Sequence, residues 1–246
     1  MKNRKKGPGL PLAMVVLGNF AMVLRRQLYL TATDAKGLLM RGTLLEMMLL
    51  ALTAAAGGIL LLALKKDRGG NGYEENFSAS VPAGLGHVAA ATGIFTMVRG
   101  TVLGMPGYMG LLWQLLGMVA PVCLILAGIL RILGKKPFFL LHVVPCLFLL
   151  VQTVGNYQLW SSNPQMQDYL FALLAILALI LFAHHTAAFE AGLGNRKMVL
   201  GAGLAAVYLC LVEMGWTDYP GFYFGCVFWA LTGLCKGAPA AQEEKE

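Results

Sequence analysis

The chain reads as an all-α membrane protein, a polytopic bundle of about eight transmembrane helices with both termini cytoplasmic. Three observations predict this. Apolar runs of about 20 residues, the length that crosses a bilayer as a helix, recur along the whole chain. Across 246 residues, 58% are hydrophobic and only 13% charged, too little charge to cover a soluble surface. The basic residues also sort by side. Of 19 Lys and Arg, five (Arg25, Arg26, Lys36, Arg41 and Arg99) fall on one side of an eight-span thread, which leaves 14 with the two termini. The positive-inside rule places that richer side in the cytoplasm.

Lys2, Arg4, Lys5 and Lys6 precede an apolar run that resembles a signal peptide. No small-residue cleavage site follows, so Leu10–Tyr29 is predicted as an uncleaved first span. Arg25 and Arg26 are expected to snorkel to the outer interface at its end. Leu44–Leu64 is the second span, and its Thr53, Gly57 and Gly58 make a small face at the depth of Asn19, where a contact is expected. Asp67 to Ser80 is the one extended hydrophilic loop and is expected to be mobile. Val81–Val98 is the third span. A turn-rich connection, Arg99 to Met109, leads to Gly110–Leu133, the fourth, with a kink expected at Pro121. Met198–Met214 and Tyr219–Cys235 are the seventh and eighth. The chain is one membrane domain, with disordered cytoplasmic tails expected over 1–9 and 237–246.

The fifth and sixth spans form a hairpin, Pro137 to Glu190, around which the rest is organised. In its first run His142, Cys146, Leu149, Gln152, Asn156 and Trp160 recur at steps of three and four, one stripe of a helix. Hydrocarbon offers such groups no hydrogen bonds, so the stripe is expected to face other helices. In the second run Asn163 suits an N-cap, Pro164 the first helical position and Asp168 the first turns. Ala172, Ala175, Ala178, Phe182 and His185 then make a mostly small stripe, which pairs with the polar stripe of the first run. His184 lies on another face, toward lipid.

The turn and its flanks (NYQLWSSNPQMQDYLF), with a Trp, an Asn-Pro step and an Asp-Tyr pair after an apolar run, resemble a family of uncharacterised bacterial multi-pass membrane proteins. The resemblance extends more loosely to RQLYLTATDAKGLL near the N-terminus. It implies residence in the cell (inner or plasma) membrane. It transfers no activity and no site residues.

Several function classes fall away. The net charge of +7 belongs to loops at helix ends, without interleaved aromatics, so no nucleic-acid partner is expected. The five cysteines all sit in apolar runs without CxxC spacing, which indicates neither a disulfide framework nor a zinc site. No HExxH, GxSxG or paired-carboxylate signature suggests an enzyme. The GLGNR turn lacks a strand before it and is no nucleotide loop.

Depth sorts the remaining polar residues into two layers. His87, His142, His184 and His185 all fall near the cytoplasmic helix ends. Imidazoles there are candidate haem or transition-metal ligands, His142 and His185 above all. The outer layer mixes both charges, and Arg26, Gln152, Asn156, Trp160 and Asp168 are its candidate solute ligands. Arginines hold anions and amides orient them, although snorkelling and helix–helix hydrogen bonds explain such groups as well. The leading reading is a transporter of a small polar or anionic solute, or the membrane subunit of one. Its partners are then the lipid bilayer, a small solute, and another membrane or ATPase subunit. The alternative is a non-catalytic membrane partner or sensor, with Gly221-x-x-x-Gly225 as its packing face. A haem- or metal-binding protein is the third reading.

The topology makes a direct prediction. Single cysteines at Lys66 and Lys135 should be labelled by a membrane-impermeant thiol reagent from the same face of the membrane, in a cysteine-free background. Labelling from opposite faces removes the eight-span thread.

Overall fold

The computed structural model describes residues 9–33, 39–67, 69–77, 79–100, 108–161 and 169–234. In chain order the helices are α1 (Gly9–Thr31), α2 (Leu44–Lys66), the short α3 (Tyr73–Asn76), α4 (Val81–Gly100), α5 (Tyr108–Ile132), α6 (Leu140–Trp160), α7 (Leu170–Glu190), α8 (Arg196–Met214) and α9 (Pro220–Leu234). Among the described residues the only β feature is one isolated bridge, Thr33 to Leu39. Among the described residues seven helices are long and apolar enough to cross a membrane, and the fold is that of a helical membrane bundle. The predicted eighth span is shorter. α9 has 15 described residues, about 22 Å of rise, against about 30 Å of hydrocarbon.

Local chemistry sets the helix ends. Thr43 caps α2, its hydroxyl accepting the Glu46 N–H at 3.3 Å while the Glu46 carboxylate accepts the Gly42 N–H at 2.7 Å. The Asn195 side-chain oxygen accepts the Lys197 and Met198 N–H groups at the start of α8. α5 and α7 end alike. Gly134 and Gly192 take positive φ, 68° and 84°. The N–H after each glycine reaches back five residues, Lys135 to Leu130 O and Leu193 to Ala188 O, at 2.9 and 2.8 Å. These two stops leave Arg131 and Glu190 in the last turns of their helices.

Helices α4 to α9 form a closed ring in which each packs on the next and α9 returns to α4. α1 packs on α8, and α2 lies outermost against α1 and α8. The tightest seams run along α4. A methyl added at Gly84 meets Ile132 and the Gly128 carbonyl, and one at Gly128 meets the Gly84 carbonyl and His87. On the other flank, methyls at Gly86 and Gly93 meet α9 backbone, and one at Gly225 meets the Ala89 carbonyl. Absent side chains thus let these backbones touch.

The inward stripe of α6 is as expected: His142, Cys146, Leu149, Gln152 and Asn156 are buried. Ala172, Ala175, Ala178 and Phe182 of α7 are buried too. The two helices pack together, and the Cys146 thiol lies 3.7 Å from the Ile180 carbonyl.

Four expectations change. Part of the hydrophilic loop after α2 packs onto the bundle. Asp67, Asn76, Phe77 and Ser80 are buried, and Arg196 of α8 ties the loop through Asp67 (2.9 Å), Asn76 and Asn71. The Asn19 contact with α2 does not form. Asn19 is exposed and its amide donates to Val15 O of its own helix, while Thr53 meets the Tyr208 hydroxyl at 2.9 Å. Of the two arginines near the end of α1, Arg26 is exposed, whereas Arg25 is buried and ion-paired with Glu213 at 2.8 Å. Finally, Gly225 is taken up by the chain's own α4, so Gly221-x-x-x-Gly225 is not a free packing face.

The α4–α9 seam is testable. Gly225→Val must push two backbones apart and should destabilise the protein by about 1–3 kcal/mol, the usual cost of overpacking. Gly221→Ala enters open space and should be close to neutral. Thermal unfolding of the purified protein in detergent measures both.

Candidate functional site

The ring gathers its polar groups at one end. His87 stands on α4 one turn from the Gly84–Gly128 crossing, and His142 lies in the first turn of α6. Glu190 closes α7 and Arg131 lies in the last turn of α5. All four are buried, His142 completely. Trp229 of α9 packs against both imidazoles, parallel to His142 with ring centroids 6.1 Å apart and tilted to His87 at 5.9 Å. Phe182 meets the same indole edge-on.

A continuous chain of contacts joins these groups. His87 Nδ1 lies 2.7 Å from Ala83 O, His87 Nε2 lies 3.1 Å from His142 Nε2, and His142 Nδ1 lies 2.9 Å from Glu190 Oε2. Proton counting follows. A carbonyl only accepts, so His87 Nδ1 carries a hydrogen and donates to Ala83 O. Each of the other two contacts also needs one proton, since facing lone pairs repel. Three protons on two imidazolates and a carboxylate sum to zero charge. The last proton sits either on His142, as an imidazolium–carboxylate pair, or on Glu190, as a neutral pair. Such a chain can hand a proton from Glu190 toward His87 without changing its net charge.

Arg131 lies beside this chain, in the wall of the same small cavity with Tyr73, Phe77, Thr186 and Trp229. The cavity measures about 10 Å³, room for roughly one water. The guanidinium stacks on the Phe77 ring at 4.7 Å and makes a long 3.4 Å contact to the Tyr73 hydroxyl. No carboxylate among the described residues forms an ion pair with it, and its buried Nε has no hydrogen-bond partner there. Burial pushes the Tyr73 phenol above its ordinary range, with the Arg131 contact working the other way, so Tyr73 keeps its proton at neutral pH. A second cavity of about 30 Å³ adjoins, walled by Asn76, Phe77, Phe189, Arg196 and Leu200. The α3 segment roofs both.

The sequence candidates are dispersed. Gln152 and Asn156 are buried and committed to each other and to Trp113. The indole N–H donates to Gln152 Oε1, and the Gln152 amide donates to Asn156 Oδ1 at 2.8 Å. Arg26 points outward. The Trp160 side chain and Asp168 lie outside the described residues. His142 pairs with His87 and Glu190, whereas the His185 ring meets His184, 5.2 Å between centroids. Among the described residues no group of three His, Cys, Asp or Glu is arranged to hold a metal.

The sequence places His87 and His142 in one layer, whereas Glu190, Arg131, Tyr73 and Trp229 join them only in the structure. Arg131 counts with Lys135 and Lys136 as an interfacial charge. The signal for it is its position three residues after Gly128, on the face that meets α4.

Truncating the chain separates its roles. Glu190→Ala should cost about 1–3 kcal/mol, the range for stranding a buried hydrogen-bonding group. Glu190→Gln should cost less, because its amide can still donate to His142 Nδ1. Equal losses on chemical unfolding argue against the hydrogen-bonded chain. Compared with known protein families, with curated proteins and with solved structures, the chain matches none.

Proposed function

We propose that this membrane bundle is a transport protein, or the membrane subunit of one, for a small polar or anionic solute, with Glu190, His142 and His87 as its proton-carrying element. One observation carries the reading: three titratable side chains from three helices form an unbroken hydrogen-bonded chain inside the helix ring. Ionisable groups held within a membrane bundle are costly and mark ion or proton pathways. The α6 face that carries His142 continues to Gln152 and Asn156, about 15 and 21 Å further along the helix. In this reading that face is the polar track.

A second reading, a non-catalytic membrane partner, is favoured by α2. Among the described residues this helix packs mainly on α1 and α8, and Gly57 and Gly58 have open space beside them. Recovery of the protein alone and monomeric from gently solubilised membranes counts against it.

The transport reading is tested in proteoliposomes loaded with a pH-sensitive dye. Gradients of chloride, nitrate, formate, acetate, lactate, phosphate and glycine are imposed one at a time. At least one solute should drive proton movement, and Glu190→Gln and His142→Ala should each reduce that coupled flux about tenfold or more. Absence of any solute-driven flux in the wild-type protein defeats the reading.

A further inference from the structure

We infer that the cavity beneath α3 is a binding site for a small monovalent anion of halide size, held by Arg131 and Tyr73. The contacts from Ala83 O through His87 and His142 to Glu190 require three protons and are then neutral as a unit. Arg131 therefore stands as an unbalanced positive charge at this end of the ring. It is only 5% exposed and has no ion pair among the described residues. Asp67, the other buried acid of this region, is already bound to Arg196 at 2.9 Å. The negative end of the α5 dipole contributes about half a charge at most. A cation withdrawn from water needs a partner, and the described residues do not supply a full one.

Geometry says where that partner sits. Arg131 and Tyr73 both line the cavity, and the buried Arg131 Nε–H has no acceptor among the described residues. The Tyr73 oxygen accepts from Arg131 at 3.4 Å, which leaves its own O–H to donate. The Thr186 hydroxyl is not available, because it donates to Phe182 O at 2.7 Å. These two polar side chains, with Phe77, Phe182 and Trp229, line a small, mostly apolar slot. At about 10 Å³ it takes a monatomic anion in preference to a carboxylate or phosphate. Lys136, whose ammonium lies 5.5 Å from the Tyr73 ring centre, adds positive charge at the entrance.

This inference deepens the transport reading and rests on it only for the claim that the anion is cargo; occupancy itself is read without flux. The experiment uses the full chain purified in detergent, with sodium chloride or bromide replacing sodium gluconate at constant ionic strength. The melting midpoint should rise and saturate with halide. Arg131→Gln should weaken the half-saturation about tenfold or more, the loss expected for a hydrogen bond to a charged group. Arg41→Gln, in an exposed pair with Glu46, should leave it unchanged. A rise that does not saturate, or one that Arg131→Gln shares in full, overturns the site. If Arg131→Gln does not fold, chlorine-35 NMR on the wild type decides. Line broadening that bromide reverses, and that Tyr73→Phe reduces, supports the site; unbroadened lines overturn it. Halide binding without halide flux defeats halide as the cargo and leaves the site. Flux of some other solute without halide binding keeps the transport reading and removes the site.

Discussion

The close approach of α4 to α5 and α9 is the constraint on which the polar end of the bundle depends. Gly84 and Gly128 bring two backbones together, and Gly86, Gly93 and Gly225 do the same on the opposite flank. His87 rides on α4 between these seams. A side chain at Gly128 would meet the His87 Cβ directly. Moving α4 outward by the width of a methyl would open the 3.1 Å contact between the imidazoles and break the chain to Glu190. Small residues do two tasks at once here. They supply close packing where no hydrophobic effect acts between helices, and they set the depth at which a titratable group meets its partners.

The second organising element is the way helices stop. Arg131 and Glu190 occupy the final turns of α5 and α7, and each helix closes with a glycine in the left-handed region just beyond. Those stops bring the chain out of the bundle immediately after the charged side chain. Charge can then sit inside the ring while the following backbone is already at the rim. The α3 segment completes the arrangement by laying Tyr73 and Phe77 across the opening, and Arg196 holds the loop down from α8. A loop of hydrophilic composition is thereby a roof, because its two aromatic side chains and Asn76 find partners inside.

The opposite end of the bundle follows the same rule. Arg25 and Arg26 are neighbours in sequence but about 100° apart around α1. One turns into the protein, where Glu213 and the rings of Tyr29 and Phe171 receive it, and the other faces out. Gln152 and Asn156 likewise satisfy each other and Trp113 rather than standing open.

The sequence by itself determined the membrane class, most helix bounds to within a few residues, and the inward stripes of α6 and α7; the predicted start of α7 at Asn163 and Pro164 lies outside the described residues. These follow from hydropathy and from a 3.6-residue period, which are local properties of the chain. It also placed His87 and His142 at one depth, because depth is a count of residues from a helix end. What only the tertiary structure decided is which of those residues meet. His142 meets His87 and Glu190 rather than His185, Arg25 rather than Arg26 turns inward, and Arg131 faces the ring rather than the headgroups. Each choice depends on the rotation of one helix against its neighbours. That rotation is set by where glycines allow contact between elements distant in the chain, which no periodicity within a single helix encodes.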